Sequence, residues 1–207
     1  MHLPDGLLPV SMAVGGYIGS AALLGFSLTR IARLPDPGAA MPRAAMLTAV
    51  FFAVSSLAVP VPPTTVHPML VGLMGVLLGW YAVPAILVGL FLQAVLFGHG
   101  GLTTLGLNGL ILAPAALVAW GAWRALEPRA STPAAVIAGS GGVMLSLAVF
   151  AIFVLVGLPA EVDAVAERAA LAVFLFAHLP LVLAEGVLVA VVLRVLARVE
   201  PGLLPRV

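Results

Sequence analysis

The nitrogen donors of this 207-residue chain are few: it has four histidines, no cysteine and no lysine. One of the histidines stands second, in the opening MHLPDGLLPV. A free amino terminus followed by histidine offers three nitrogens to one ion. They are the Met1 amine, the deprotonated His2 backbone amide and the His2 imidazole, and their fused chelate rings are nearly planar. A fourth nitrogen from another imidazole completes the square-planar set that Ni(II) and Cu(II) favour and that is sometimes imposed on Co(II). His67 is the candidate for it. Zinc prefers a tetrahedron and fits less well. Pro4 and the Asp5-Gly6 pair form a turn able to fold the first residues back between helices. The stretch MHLPDG also reads as a solvated terminal turn, and two histidines 65 residues apart fix no geometry by themselves.

The elements that must position these groups are membrane helices. The chain is 63% hydrophobic, with a mean hydropathy of +1.23, nine arginines and eight acidic residues, a usage far from that of a soluble domain. A net charge of +1 gives no case for nucleic acid, and the lack of cysteine removes disulfides, iron-sulfur clusters and thiolate zinc sites. No positive charge precedes Arg30 and the apolar stretch Leu7 to Leu28 is longer than a signal core, so Met1 is expected to stay. Crossing a bilayer takes about 20 apolar residues. Spans are expected near Leu8 to Leu28, Arg43 to Val61, Thr104 to Leu126, Pro133 to Leu158 and Ala169 to Val195. Between them Pro68 to Trp80 and Val83 to Phe97 form two short helices or one re-entrant hairpin, joined by a turn at Tyr81 to Pro84.

Arginine sets the orientation. Arg30, Arg33, Arg43, Arg124, Arg129, Arg194, Arg198 and Arg206 fall on one side, with Arg168 the exception, and the positive-inside rule makes that side cytoplasmic. The amino terminus is then outside, with Asp5, Glu161, Asp163 and Glu167, and the carboxyl terminus inside. Trp80, Tyr81, Trp120 and Trp123 sit where an inner aromatic belt would lie. His2, His67 and His99 fall in outer segments and His178 in the outer half of the last span. His99 alone reads equally as a tolerated loop histidine.

Polar residues inside spans are costly and face the protein interior. Gln93, Asn108, His178 and Glu185 are the ones to explain, and His178 and Glu185 are two turns apart on one helix face. With His99 they could orient His67 and hold the terminal loop, since ligating imidazoles usually donate their other N–H to a fixed acceptor. They could equally be interhelical hydrogen bonds, and Glu185 a plain helix clamp. Ala45, Ala49 and Ala53, and again Gly15 and Gly19, form small-residue stripes that let helices approach closely.

The blocks MHLPDGLLP, VPVPPTTVHP, LFLQAVLFGHGGLTTLGLNG and HLPLVLAEG, in this order across almost the whole chain, resemble the CbiM/NikM family, the cobalt/nickel substrate-binding membrane subunit of energy-coupling factor (ECF) transporters. The resemblance implies an all-α polytopic bundle of about seven transmembrane helices, 1–207 forming a single integral membrane domain in the bacterial cytoplasmic membrane. Residues 1–7 would be a metal-ligating loop folded into the bundle, with Met1, His2 and His67 as ligands of Co(II) or Ni(II), cobalt for cobalamin synthesis being preferred. It further implies a transmembrane coupling subunit seated on Ala45, Ala49 and Ala53, two ATPase subunits and, as a further candidate, a small accessory membrane subunit. Many members reach the second ligating histidine through small residues, whereas this chain uses Pro62, Pro63, Thr64 and Thr65.

Competing functions fit less well. No GxxxxGK[ST] loop is present, so ATP hydrolysis is left to partners, and no HExxH, so a zinc protease is excluded. An intramembrane serine protease would need glycine at Ala138 to make a GxSG turn; Gly139 to Gly142 read instead as close helix packing. An autonomous metal permease would be expected to show internal repeats, and none is visible.

Overall fold

The computed structural model describes residues 2–61, 64–127, 131–157 and 164–204. Met1, Pro62, Pro63, Arg129, Leu158, Glu161, Asp163, Arg206 and Val207 therefore lie outside the described residues. Among the described residues seven α-helices follow one another: α1 Val10–Ala32, α2 Met41–Ser55, α3 Val71–Leu78, α4 Ala82–Phe97, α5 Leu105–Leu126, α6 Ser131–Gly157 and α7 Ala164–Val199. Five segments are long and apolar enough to cross a membrane, α3 and α4 counting as one, and α2 is a shorter apolar helix. The architecture is that of an all-α polytopic membrane bundle. Its outer faces carry exposed large apolar side chains such as Ile18, Val88, Phe91, Phe176, Leu183 and Val187, as a surface solvated by hydrocarbon requires.

One expected span is corrected, and the alternatives for the segment after it are narrowed. The one placed at Arg43 to Val61 stops at Ser55, and Val59–Val61 pairs antiparallel with Thr64–Val66 as a short hairpin, β1 and β2. Pro60 and the β-branched valines and threonines favour extended backbone over helix there. The segment after His67 resolves as two helices joined by a 3-10 turn, Gly79–Tyr81. α3 has eight residues, about 12 Å of rise, so the residues preceding it lie deep in the bundle rather than at its rim. α3 is buried along its whole length because its neighbours come to backbone contact. A Cβ at Gly72 would fall 2.5 Å from Gly139 Cα, and Gly142 also abuts Gly72. Gly139 and Gly142 of the AGSGG run are thus packing surfaces, as expected, while Gly141 faces open space.

The arginine end is tied together by side chains. Arg30 lies over Trp80 and Arg124 over Trp120, each 5.2 Å from the ring centroid. Trp80 meets Trp120 edge-on, Tyr81 donates to Pro37 O (2.8 Å), and Arg43 donates to Leu203 O (2.8 Å). Tyr81 and Trp123 are buried in the core, so they do not serve in a lipid-facing belt. The small-residue stripe of α1 is also shifted from expectation. Gly16 and Gly19 face Leu107 and Leu110 of α5, while a Cβ at Gly15 would meet nothing within 4 Å.

Candidate metal centre

Three segments converge within the half of the bundle away from the arginine end. They are residues 2–6, the stretch His67 to Leu70 after the hairpin, and the connection 98–104 between α4 and α5. α4 stops at Gly98, whose left-handed backbone (φ 63) lets the His99 N–H return to Gln93 O (3.1 Å), a common helix ending. His99 then stands between the other two histidines. Its ring centroid is 4.7 Å from that of His2 and 4.6 Å from that of His67, both contacts edge-on.

Both ring nitrogens of His2 and Nδ1 of His67 are buried without a hydrogen-bond partner. Of the eight such side-chain atoms among the described residues, six belong to His2, His67, Gln93, Ser146 and His178. Each orphaned polar atom costs free energy unless something completes it. Burial holds the His2 imidazole well below its ordinary value, with the surrounding positive charges adding to it. Burial first and neighbouring charge second lower His67 to about 4, against a hydrogen bond to the Leu57 backbone. Burial likewise lowers His99. All three are neutral at pH 7, lone pairs available. Among the described residues no three His, Cys, Asp or Glu side chains gather so as to hold an ion on their own.

The terminal segment is locked to α5. Leu3 is fully buried; its N–H donates to Asn108 Oδ1 (2.8 Å), and its carbonyl accepts from Asn108 Nδ2 (3.2 Å) and Thr104 Oγ1 (2.7 Å). Two residues on, the Asp5 carboxylate accepts from the Thr103 and Thr104 N–H groups (2.9 and 3.3 Å) and so caps the start of α5, where a negative charge meets the helix dipole. These bonds lower the Asp5 carboxyl below its ordinary value, the Thr103 side chain contributing most. Gly100 and Gly101 (φ 87 and 88) make the fit possible: a Cβ on the first would press on His2 and Asn108, and on the second would collide with the Asp5 carboxylate. Asp5, Thr103 and Thr104 were not among the expected site residues. Their signal was present, since Thr-Thr before an apolar run reads as a helix start in need of a cap.

The remaining polar residues are placed as follows. Gln93 Nε2 donates to Phe52 O (3.2 Å) and to Ser55 Oγ, tying α4 to α2. His178 Nδ1 donates to Phe174 O (2.7 Å). Glu185 accepts from the backbone N–H groups of Met69 and Leu70 (to Leu70, 2.9 and 3.1 Å). It thereby caps α3 where Leu70 takes a left-handed conformation (φ 51), the helix-clamp arrangement, acting two residues from His67. None of the three hydrogen-bonds the His67 ring. Ala45, Ala49 and Ala53 lie exposed along α2; Ala45 and Ala49 wall an open groove with Tyr81, Pro84 and Val88.

Residues 2–203 match the model of the CbiM family, cobalt uptake substrate-specific transmembrane region. The chain belongs to this family. Its relatives include a CbiM cobalt transport protein of Pelobacter propionicus, 34% identical over 96% of this chain and 91% of that protein. A putative metal transport protein of Haemophilus influenzae is 32% identical over 68% of this chain and 66% of that one. A fused nickel transport protein NikMN of Rhodobacter capsulatus is 40% identical over 55% of this chain, which spans only a third of that longer protein's length (33%). A crystal structure of a transition metal transporter superposes with a TM-score of 0.83 at 25% identity, covering 97% of this chain and 94% of that one. As a CbiM-family member the chain is a membrane protein of a cobalt and nickel transport family, not of an enzyme class. The FGHGG and TTLGLN blocks are the ones that hold residues 2–5 in place.

Proposed function

We infer that the chain captures Co(II) from the outer side of a bacterial cytoplasmic membrane as the substrate-binding subunit of an ECF transporter. The ion is held by the Met1 amine, the His2 amide and imidazole, and His67 Nδ1, in one integral membrane domain with the amino terminus outside and the carboxyl terminus cytoplasmic. The observation that carries this reading is the juxtaposition of His2 and His67 around His99, with buried, unpartnered ring nitrogens, behind a terminal segment whose backbone Asn108 grips. Among the described residues the side chains alone gather no such set, and in this reading main-chain nitrogens complete it. Asn108 and Asp5 hold the loop, Glu185 fixes the chain just after His67, and His99 lines the site.

Cobalt is favoured because a relative aligned along nearly its whole length is named for cobalt transport. The same role for Ni(II) is the alternative, favoured by the square-planar donor set and the nickel-named relative. The coupling subunit rests on the exposed Ala45, Ala49 and Ala53, two ATPase subunits supply the energy, and a small accessory membrane subunit completes the assembly. The deciding experiment adds one glycine before Met1. This moves the amine away from His2 while leaving every side chain, and is expected to abolish high-affinity Co(II) binding. Unchanged affinity and uptake in the extended, uncleaved protein would refute the chelate.

A further inference from the structure

On the bundle side of His67, α6 and α7 each present a buried polar atom with no partner. His178 and Ser146 are fully buried, and neither His178 Nε2 nor Ser146 Oγ is hydrogen-bonded. Ring contacts fix their level. Phe150 and Phe174 stack across the two helices with centroids 4.9 Å apart, and the His178 ring lies 4.1 Å from that of Phe174. Ser146 is four residues before Phe150 and His178 four after Phe174. The helices are antiparallel, so both steps run the same way along the seam, by about 6 Å, and stay on the same face. Further on, Ser140 Oγ donates to Val182 O (2.9 Å) and Gly139 meets Gly186, so the register persists. Ser146 and His178 therefore face each other at one level.

The seam they share borders the segment that carries His67. Gly142, one turn from Ser146, abuts Gly72, and Glu185, two turns from His178, bonds the Leu70 N–H. α7 also packs on strand β2, which leads directly into His67. The His178 ring is preset as well. A carbonyl can only accept, so Nδ1 donates to Phe174 O and Nε2 bears the lone pair, the form in which imidazole binds a metal.

We propose that His178 Nε2 and Ser146 Oγ form, with His67 Nδ1, a second donor set for the transported divalent cation, which takes the ion when the amino-terminal nitrogens release it. In that exchange the metal bonds to the Met1 amine and to the His2 amide and imidazole nitrogens break, the amide nitrogen takes a proton from water and leaves hydroxide to the solvent, and bonds to His178 Nε2 and Ser146 Oγ form while His67 stays on the ion. The proposal rests on the terminal-chelate reading. Two imidazoles suit Co(II) and Ni(II), and the serine hydroxyl adds a neutral oxygen.

The test is a Co(II) titration of the full chain in detergent, with one glycine before Met1 to disable the chelate. The extended protein is expected to keep a weaker affinity, and His178→Gln in that background to lower it by about tenfold or more, Ser146→Ala less but in the same direction. In the unextended protein His178→Gln is expected to slow transfer of bound Co(II) to an external chelator. Thermal unfolding controls for folding, and Ser146→Ala carries the test should the histidine variant not fold. The proposal is overturned if the extended protein binds no Co(II), or if both variants leave its affinity and the transfer rate unchanged, as they would where a water alone bridges the two atoms. If the extension itself changes nothing, the terminal chelate is refuted and this proposal with it.

Discussion

Asn108→Ala removes the side chain that pairs with Leu3 in both directions. The Leu3 carbonyl keeps Thr104 Oγ1 at 2.7 Å, so truncation orphans one buried group, the Leu3 N–H, whose acceptor at 2.8 Å is lost. A buried donor left without an acceptor costs about 1 to 3 kcal/mol. The terminal segment must be docked for His2 to meet His67, so this cost falls on the metal-competent arrangement. With about 1.4 kcal/mol per factor of ten, affinity drops roughly 5- to 150-fold. The helices are spared, because α5 keeps its own ladder at this position (Asn108 N–H to Thr104 O, 2.9 Å) and residues 2–6 can undock without unfolding it. Asn108→Asp retains the acceptor for the Leu3 N–H but sets a second carboxyl oxygen against the Leu3 carbonyl in a buried place, so it also weakens docking. The assay is Co(II) titration against a competing chelator at pH 7.5, with thermal unfolding of the metal-free protein alongside. An Asn108→Ala protein binding within twofold of the unaltered chain would show that the grip on Leu3 does not hold His2 in place.

His67→Ala is expected to abolish high-affinity binding and His99→Ala to weaken it by about 10- to 100-fold, the range for a residue that touches ligands without bonding the ion; calorimetric titration separates the two, and equal mild losses would remove His67 from the ligand set. Gly101→Ala drives a methyl into the Asp5 carboxylate and should weaken binding more than Gly98→Ala, which has open space and carries only the left-handed backbone strain of about 1 to 2 kcal/mol. The folded His67 value near 4 lies below its ordinary 6.5, so loop docking is fully present above about pH 6.5 and lost as pH falls toward 4. A site of side chains alone would thus bind metal evenly down to about pH 6, whereas displacing protons from a main-chain amine (ordinary value about 7.7 to 8.0) and an amide makes affinity fall already between pH 8 and 6. Ala49→Leu projects from the exposed side of α2 and should leave Co(II) affinity unchanged while reducing co-purification with a coupling subunit; lost binding with intact assembly would overturn that placement.

Apolar length alone located most helices in the sequence, because hydrocarbon leaves the backbone few options. The length criterion failed where burial replaced lipid exposure. α3 has eight residues yet sits in the core, since Gly72 and Gly142 admit backbone contact, and apolar runs lined by protein look the same in sequence as runs facing lipid. The hairpin at Val59–Val66 was absorbed into a span because Val-Pro-Val is as apolar as a helix; only its β-branching and proline speak otherwise. At the site, residue type was readable and partnership was not. His2 and His67 stood out because metal chemistry is written in a few side chains, but Asp5 looked like half of a turn although its carboxylate caps a helix that begins about a hundred residues later. Glu185 could be read as a clamp or as an ionising group until its oxygens were seen on the Met69 and Leu70 N–H groups. Those bonds explain why a carboxylate is buried in a span: it caps α3 where the left-handed Leu70 turns the chain, and so fixes the direction from which His67 enters the site. The direction of the His178 Nε2 lone pair was not legible in the sequence either, because it is set by the hydrogen bond that Nδ1 donates to a backbone carbonyl one turn away.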